Sequence, residues 1–478
     1  MDIKYTPATE LALRIRRGDL SPVDVVDYFL DRIERRNDEI NAYVTVCDEM
    51  ARTAAEEAEQ ALRAGDDIGP LHGVPVAVKD LANVAGVPTT FGSNLFADFV
   101  PEEDDLIVER LKDAGAIIIG KTNTPEFGRK PMTTNLLHGP TGNPWDPSKT
   151  AGGSSGGSAA VLAAGLAPLA TGGDAAGSLR VPASACGTAS IMADFGRVPI
   201  ESRPDGYVNT HPYTFSGPMA RSVEDAALML DVISGPSNGD PFSLPRRDGS
   251  YLDVTRRGID HLDIAYSPDL GICEVSSTVE GVVEEAVDAI EKTGANVDRI
   301  DDVFEDDWKR LHDALEVLLQ DRYRGMHDNF VRDHGIDMLD RRDEVTEEVI
   351  SRVEKSLELD SLDVRRAERV RTEAYDAMCG VLADYDLVVT PTMGMLPFEK
   401  DTQPSEIGGV PIDPLHGWAL TWPINLTGNP VVAVPAGTAE GLPVGLQFIG
   451  RRLEDDTVVS AAAAYERVRP WTGSYPAD

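Results

Sequence analysis

Two short runs dominated by glycine and serine place the strongest constraint on the fold of this chain. Residues 152–158 read GGSSGGS, and residues 172–180 read GGDAAGSLR. Glycine-rich loops let a backbone approach another molecule closely and direct its N–H groups toward it. One lysine, Lys79, ends the apolar stretch VAVK upstream, and burial among apolar residues disfavours the charged form of a lysine. The three segments predict a site built from two serine loops and a lysine of lowered pKa.

These residue types suit acyl transfer to a serine hydroxyl. A serine becomes a nucleophile when a neighbouring base removes its proton, and a neutral lysine can serve as that base. A second serine can relay the proton between them. Taken separately, a lysine is most often a surface charge, a serine a loop hydrogen-bonder and a glycine run a set of turns. The presence of all three elements in one chain favours a Ser–Ser–Lys hydrolase.

The same residues resemble the motifs of the amidase signature family of serine hydrolases, and the resemblance covers nearly the whole chain. Lys79 stands where that family has its catalytic lysine. Ser154 matches the relay serine, which in the family follows a cis peptide bond, and Ser178 matches the acylated nucleophile. Three downstream segments are also similar to the C-terminal part of the family: residues 425–430, 434–437 and 441–447.

The resemblance implies hydrolysis of a small-molecule amide without a metal or organic cofactor. Ser178 attacks the amide carbonyl, and its proton passes through Ser154 to neutral Lys79, which later protonates the leaving amine. Backbone N–H groups are expected to stabilise the oxyanion; they belong to Ala175, Ala176, Gly177 and Ser178. Three further side chains are expected to hold the loops by hydrogen bonds: Ser155, Asp174 and Arg180. We expect the arginine to be an ion-pair partner rather than a ligand of the substrate.

Some positions depart from the family pattern. Ala176 stands where the family usually has the first glycine of Gly-Gly-Ser. A positive φ at this position would cost alanine about 1 kcal/mol. Gly173 and Ala175 replace common threonines, and residues 190–194 replace a common GLKPT segment. None of these changes removes a catalytic side chain, although they bear on loop geometry, rate and substrate range.

Two alternatives stay open within the resemblance. One is the glutamine-hydrolysing component of a tRNA-dependent amidotransferase, its A chain, which would need tRNA as well as a partner protein. The other is an inactive, binding-only relative in which the loop around Ala176 no longer forms an oxyanion hole. Glutaminase activity with a co-purifying partner would identify the first, and failure of an acylating probe to label Ser178 would indicate the second.

Other patterns match known sites only in part. Residues 115–122 fit the P-loop pattern, but their Ile-Ile-Ile interior predicts a strand where a P-loop needs a turn. Residues 153–157 fit the nucleophile elbow around Ser155, but none of the eight histidines has a triad context. The four cysteines are far apart, which indicates neither a zinc site nor a disulfide framework. Cys186 is therefore expected to be a packed residue, and no metal site is expected.

The alternation of apolar runs with helical patterns predicts an α/β fold. Strands alternating with helices imply a sheet covered on both faces, and we expect one large domain over residues 1–478 with a mixed central sheet. Its core motifs are expected in residues 70–235 and 385–470, with a variable, mostly helical segment at about 278–383. Strands are predicted at 74–78, 116–119, 264–266, 387–392, 431–434 and 446–450. Helices are predicted within 7–37 and at 47–64, 105–114, 158–167, 221–233 and 454–467, with a surface loop at 235–260.

The charge of the chain bears on its partners and its surroundings. The net charge is −37, from 81 acidic and 44 basic residues, of which only ten are lysines. Such a field repels nucleic acid and anionic lipid, so neither is an expected partner. An ordinary acidic cytosolic protein and a protein from a salt-rich cytoplasm both fit, and the scarcity of lysine favours the second. We expect a cytoplasmic protein, and a homodimer stays open.

Four variable segments are expected to shape the substrate channel: residues 132–134, 205–216, 303–385 and 418–422. Trp418 and Trp422 fit an apolar or aryl acyl pocket, and a role in the core fits them equally well.

Overall fold

An eleven-stranded mixed sheet forms the centre of the structure, a computed structural model that describes residues 2–304 and 307–476. The strands are β1 (Tyr43–Val46), β2 (Pro75–Lys79), β3 (Ile117–Thr122), β4 (Gly142–Asn143), β5 (Asp146–Thr150), β6 (Leu169–Asp174), β7 (Ala189–Met192), β8 (Phe215–Ala220), β9 (Asp263–Tyr266), β10 (Asn296–Arg299), β11 (Leu387–Pro391), β12 (Glu406–Ile407), β13 (Val410–Pro411), β14 (Val431–Ala439) and β15 (Leu442–Gly450). The α-helices are α1 (Ala8–Arg16), α2 (Pro22–Ile40), α3 (Asp48–Ala64), α4 (Leu106–Asp113), α5 (Gly156–Ala163), α6 (Arg180–Cys186), α7 (Val223–Ile233), α8 (Tyr251–Val254), α9 (Ser277–Glu291), α10 (Trp308–Asn329), α11 (Glu347–Glu358), α12 (Ser361–Asp384), α13 (Trp422–Thr427) and α14 (Asp455–Val468).

The main sheet has the strand order β1-β3-β2-β6-β8-β7-β14-β15-β11-β9-β10. It is parallel at β3-β2-β6 and at β11-β9-β10, and antiparallel elsewhere. The pairs β4-β5 and β12-β13 form two small separate sheets. Helices flank the large sheet, as the alternation of apolar strands and amphipathic helices predicts. The fold is a single α/β domain, which confirms the predicted fold class.

Most of the predicted elements are present, because their signals are local. The apolar runs lie in strands whose residues are entirely or almost entirely buried, among them β2, β3, β11 and β15. At the start of α2, the Ser21 hydroxyl accepts N–H groups from Val23 and Asp24, and Pro22 occupies the first helical position. The side-chain cap removes unpaired donors at the helix end, and proline costs nothing there because that N–H has no partner in a helix.

Several short elements were not predicted, and their sequences explain why. The strand β8 reads FSGPMA, and β7 has only four residues, so neither shows a clear period of two. The edge strand β10 reads NVDR and is largely exposed, inside a segment expected to be helical. The helix α6 follows the second serine loop without a side-chain cap. The segment 235–260 was wrong as a simple loop, because it contains α8, whose Tyr251 is fully buried.

Two central strands determine where the site forms. β2 and β6 are parallel neighbours, with Val76 opposite Leu169 and Ala77 opposite Ala170. Parallel strands bring their carboxyl ends to the same edge of a sheet, where loops gather and sites form. Lys79 is the last residue of β2, and β6 ends directly before the second serine loop. Within the described residues, no helix combines the length and the apolar character needed to cross a bilayer.

Candidate active site

Lys79 is the centre of a buried hydrogen-bonded cluster at the carboxyl edge of β2. Its side chain is shielded from solvent. The Nζ atom lies 2.7 Å from Ser154 Oγ and 2.9 Å from Ser155 Oγ. Its own backbone N–H donates to Thr171 Oγ1 on β6 at 2.9 Å. The two strands therefore place the amine against the first serine loop, as the sequence predicts.

The environment of Lys79 changes its protonation. Burial lowers the pKa of Lys79 to about 7, and the carboxylate of Asp174 opposes that shift only in part. A buried charged amine loses its hydration, whereas a neutral amine loses far less. At neutral pH a large share of the protein therefore carries an uncharged amine that can accept a proton from an adjacent hydroxyl.

The first serine loop is held rigidly around Ser154. The Gly153–Ser154 peptide bond is cis, as the resemblance implies. Thr133 Oγ1 donates to the carbonyl of Gly152 at 2.9 Å and accepts the N–H of Gly156 at 3.1 Å. Thr133, which the sequence placed only in a variable channel segment, thus fixes both ends of the loop that carries the relay serine.

Ser155 and Ser178 join the two serine loops. The Ser155 N–H donates to the carbonyl of Ser178 at 3.2 Å. The Ser155 hydroxyl, besides contacting Lys79, lies 3.3 Å from both the N–H and the carbonyl of Gly173. The hydroxyl of Ser178 forms no hydrogen bond to any described residue, and its side chain is only partly buried. The structure thus brings Lys79, Ser154 and Ser178 together and leaves the last hydroxyl open to a substrate.

A buried ion pair supports the second loop from below. Arg180 binds Asp174 through two contacts, Nε to Oδ2 at 3.0 Å and Nη2 to Oδ1 at 3.1 Å. The carboxylate also accepts the backbone N–H groups of Gly177 at 2.7 Å and Leu179 at 3.0 Å. Burial alone would raise the pKa of Asp174, but the guanidinium and these donors hold it below its usual range. Arg180 has this carboxylate as its partner, in line with the expected structural role.

Three residues of the C-terminal segments complete this network. The Arg180 guanidinium donates to Asn425 Oδ1 at 2.7 Å, to Gln447 Oε1 at 3.1 Å and to the carbonyl of Thr421 at 2.9 Å. Asn425 Nδ2 also donates to Asp174 Oδ1 at 2.9 Å. The sequence analysis assigned no role to these side chains, although two of them lie in the C-terminal segments that carry the resemblance. Their separation of about 250 residues from the loop hides the contact from any local pattern.

The N–H groups predicted for the oxyanion are only partly available. Gly177 is already committed, because its N–H donates to Asp174. The N–H groups of Ala175, Ala176 and Ser178 donate to no described residue. The positive φ of the loop falls at Gly177, at 116°, and Ala176 is not among the residues with positive φ. The strain considered for an alanine at this position therefore does not arise.

The P-loop match and the elbow match both have structural explanations. Residues 117–122 form β3, and its Lys121 is fully buried in an ion pair with Asp80 at 2.9 Å. Ser155 faces Lys79 rather than a histidine. Cys186 is fully buried, and burial raises the pKa of its thiol, which makes it a poor nucleophile.

The two tryptophans of the variable segment are completely buried. Trp418 packs beside Met132 and Val181. Trp422 forms edge contacts with Trp308 and His312, at centroid distances of 5.8 and 5.6 Å. The preceding residue, Thr421, donates its hydroxyl to the carbonyl of Ala176 at 3.0 Å. This aromatic group therefore packs next to the second serine loop.

One group of described residues could hold a metal ion. The ligand atoms of His312, Asp413 and His416 all lie within 4.8 Å of one another. The histidines contact each other at 3.0 Å, and burial lowers the pKa of both imidazoles. The guanidiniums of Arg129 and Arg352 also act to lower the pKa of His416. Positive charges so close to the group disfavour a metal cation.

Comparisons with known proteins agree with this geometry. A family model described as Amidase matches residues 24–459. The chain is 36% identical to an acylamidase from Rhodococcus erythropolis, over 100% of this chain and 98% of that one. It is also 33% identical to the A chain of the glutamyl-tRNA(Gln) amidotransferase from Carboxydothermus hydrogenoformans, over 98% of each chain.

A solved structure has almost the same fold. The crystal structure of a bacterial aryl acylamidase of the amidase signature family superimposes with a TM-score of 0.94 at 31% identity, covering 98% of both chains. The match of the family model and of full-length relatives leaves one assignment. The chain belongs to the amidase signature family and is an amidase, an enzyme that hydrolyses amide C–N bonds.

Proposed function

We propose that this amidase works through an acyl-enzyme on Ser178, with Ser154 as the proton relay and Lys79 as the base. The observation that carries the proposal is the 2.7 Å contact between Lys79 Nζ and Ser154 Oγ, at a buried amine whose pKa is about 7. An amine that is partly neutral at physiological pH and bonded to a serine hydroxyl has the properties of a general base.

The reaction follows from these positions. The Ser178 oxygen attacks the amide carbonyl while its proton moves to Ser154, whose own proton moves to Lys79. The C–N bond then breaks, and the protonated amine returns a proton through Ser154 to the leaving nitrogen. Water attacks the acyl-enzyme by the same route and releases the carboxylate. Lys79 therefore alternates between neutral and charged forms in each half-reaction.

Three backbone donors are proposed to stabilise the oxyanion: the N–H groups of Ala175, Ala176 and Ser178. Each pre-organised donor is typically worth about 3–4 kcal/mol of transition-state stabilisation. Asp174 and Arg180 would act indirectly, by holding the loop that presents these groups. Ser155 would orient Lys79 through its 2.9 Å contact.

The proposed substrates are small acyl amides, including amides of arylamines. This proposal rests on the 36% identity to an acylamidase and on the TM-score of 0.94 to an aryl acylamidase. The amidotransferase relative at 33% identity supports glutamine hydrolysis as the second candidate. Ammonia release from glutamine at a rate above that from an acyl anilide would favour the second candidate over the first.

The acyl-enzyme proposal is tested by covalent trapping. We expect a sulfonyl fluoride to add one sulfonyl group per chain, and peptide mass spectrometry to place it on Ser178. The Ser178→Ala variant should remain unlabelled, whereas Cys186→Ala should label as the wild type does, because that thiol is buried. A label on Ser155 or Cys186 in the wild type would contradict the assignment.

We also propose that the protein works in a salt-rich cytoplasm, with no nucleic-acid partner. The net charge of −37 and the presence of only ten lysines support this proposal. The Debye length is about 30 Å at 0.01 M salt and about 3 Å at 1 M, so salt removes repulsion between all but the nearest carboxylates. The folded state holds these charges closest together and loses most at low salt.

The expected result is a melting temperature and an amidase rate that both rise steeply between about 0.1 M and about 4 M KCl. A glucose series of matched viscosity serves as the control for effects that are not ionic. If melting temperature and rate stay flat across the KCl series, the acidic surface is not an adaptation to salt.

A further inference from the structure

A second cluster of buried polar groups lies beside the proposed nucleophile. Arg129 directly follows Gly128, where a Cβ atom would lie only 3.3 Å from the Ser154 hydroxyl. On the other side, Trp422 follows Thr421, whose hydroxyl binds the second serine loop at Ala176. The helices α10 and α11 pack together and supply the rest of the cluster. The cluster thus lies between the two loops that carry the reacting serines.

The cluster contains hydrogen-bond donors without acceptors. Buried nitrogen atoms of four side chains have no hydrogen-bond partner among the described residues: Nε and Nη1 of Arg129, Nε of Arg352, and Nε1 of Trp308 and Trp422. Buried polar groups in folded proteins nearly always have partners, so each exception needs an explanation. Every unpaired atom in this cluster is a donor, and a bound group rich in acceptor oxygens would satisfy them together.

The charges of the cluster point the same way. Arg129, Arg352 and Arg322 all lie close enough to lower the pKa of the buried Tyr323. The carboxylate of Glu316 contacts Arg352 Nη2 at 2.5 and 2.7 Å and so neutralises one of the three guanidiniums. Within the described residues, Arg129 forms no ion pair, although the chain as a whole carries a charge of −37.

Neighbouring carboxylates are committed elsewhere. Glu348 is ion-paired with Lys130 at 3.0 Å. Glu126 accepts the Ser93 hydroxyl at 2.6 Å and the N–H of Thr346 at 2.7 Å. Burial also raises the pKa of Glu126, which weakens its negative charge. An uncompensated guanidinium in a desolvated position is costly unless a ligand brings the opposite charge.

We propose that Arg129 binds a carboxylate carried by the amide substrate, with Trp308 and Trp422 packing against the apolar part of the same molecule. The inference rests on the proposed function, because it names the substrate class of that site. A guanidinium binds a carboxylate through two parallel hydrogen bonds, and such pairs are strong when water is excluded. The enzyme should therefore prefer amides of dicarboxylic acids, or amides of aminobenzoates, over neutral amides of the same shape.

The test compares two matched pairs of substrates. On the acyl side, the para-nitroanilide of succinic acid is compared with that of isocaproic acid, in which an isopropyl group replaces the carboxylate. On the amine side, para-acetamidobenzoate is compared with the acetyl amide of para-isopropylaniline. Arg129→Met should lower the ratio of kcat/KM values, anionic over neutral, by about tenfold or more for at least one pair. Arg129→Lys should recover part of the loss.

The control is Lys130→Met, which removes the same charge from the next residue, whose partner is Glu348. That variant should keep both ratios within about twofold of the wild type, because its charge is already paired outside the cluster. The melting temperature of Arg129→Met should not fall, since no described carboxylate loses a partner. Ratios in Arg129→Met within about twofold of the wild type for both pairs would overturn the proposal.

A binding measurement separates this inference from the catalytic one. In the Ser178→Ala background, calorimetry should show that Arg129→Met weakens binding of the preferred anionic amide by about tenfold or more. Binding that depends on Arg129, together with a sulfonyl label found on another residue, would leave the carboxylate site standing and refute the Ser178 acyl-enzyme. Labelling at Ser178 with equal affinities in both backgrounds would do the reverse.

Discussion

Replacing Ser178 with alanine should abolish amide hydrolysis and leave the fold intact. The hydroxyl bonds to no described residue, so its removal orphans no buried group. Without the nucleophile, only the backbone donors and substrate binding remain, and removal of a catalytic serine typically costs about 10⁴-fold or more in kcat. The measurement is the rate of amine release from an acyl anilide, together with a melting curve of the variant.

The matched comparison is Ser155→Ala, because this neighbouring serine also contacts Lys79. We expect a loss of only about ten- to a hundredfold, since the base keeps its 2.7 Å contact with Ser154. Equal losses in the two variants would mean that the structure has not separated nucleophile from support. A Ser178→Ala enzyme that retains a tenth of the wild-type rate would remove this residue from the mechanism.

The second large effect concerns the protonation of Lys79. Burial lowers the pKa of Lys79 to about 7, so kcat/KM should rise about tenfold per pH unit below that value and level off above it. Lys79→Arg should lose about 10³-fold or more and show no such rise, because arginine keeps its proton over the whole range. A pH profile of the wild type and the variant from about 5 to about 9 measures both expectations.

The same shift predicts how the variants affect stability. The folded-state pKa of about 7 lies below the ordinary lysine value of 10.5, so the unfolded chain binds more protons between these values. The buried neutral amine therefore costs folding free energy as pH falls from about 10 toward 7, and stability rises with pH in this window. Lys79→Met removes that cost, and its melting temperature at pH 7 should equal or exceed that of the wild type.

Lys130→Arg is the control for the substitution itself, because Lys130 forms an ion pair with Glu348 rather than with a serine. It should keep the rate and the pH profile of the wild type. Full activity in Lys79→Arg, or a profile that stays flat through pH 7, would show that another group accepts the proton from the nucleophile.

Much of this site could be read from the sequence because its parts are local. The glycine and serine runs specify tight loops by themselves, and the apolar VAVK stretch specifies a buried strand that ends in a lysine. The alternation of apolar and amphipathic segments likewise predicts the α/β class. These signals come from neighbouring residues, and their meaning does not depend on what packs against them.

Only the tertiary structure decided which groups meet. The pairing of β2 with β6 brings Lys79 to the serine loops, and no local pattern encodes that pairing. The contacts of Arg180 with Asn425 and Gln447 join residues more than two hundred positions apart. Gly177 N–H, expected among the oxyanion donors, proved to be held by Asp174, a competition that depends on loop geometry.

The unpaired guanidinium of Arg129 shows the same division. In the sequence it is one arginine among many, flanked by glycine and lysine, with nothing to separate it from a surface charge. Its meaning depends on burial and on which neighbours already have partners, and both are properties of the folded molecule. Residue types and their spacing determined the chemistry available to this protein, whereas packing determined which charges are neutralised, because desolvation and pairing act only between groups that the fold brings together.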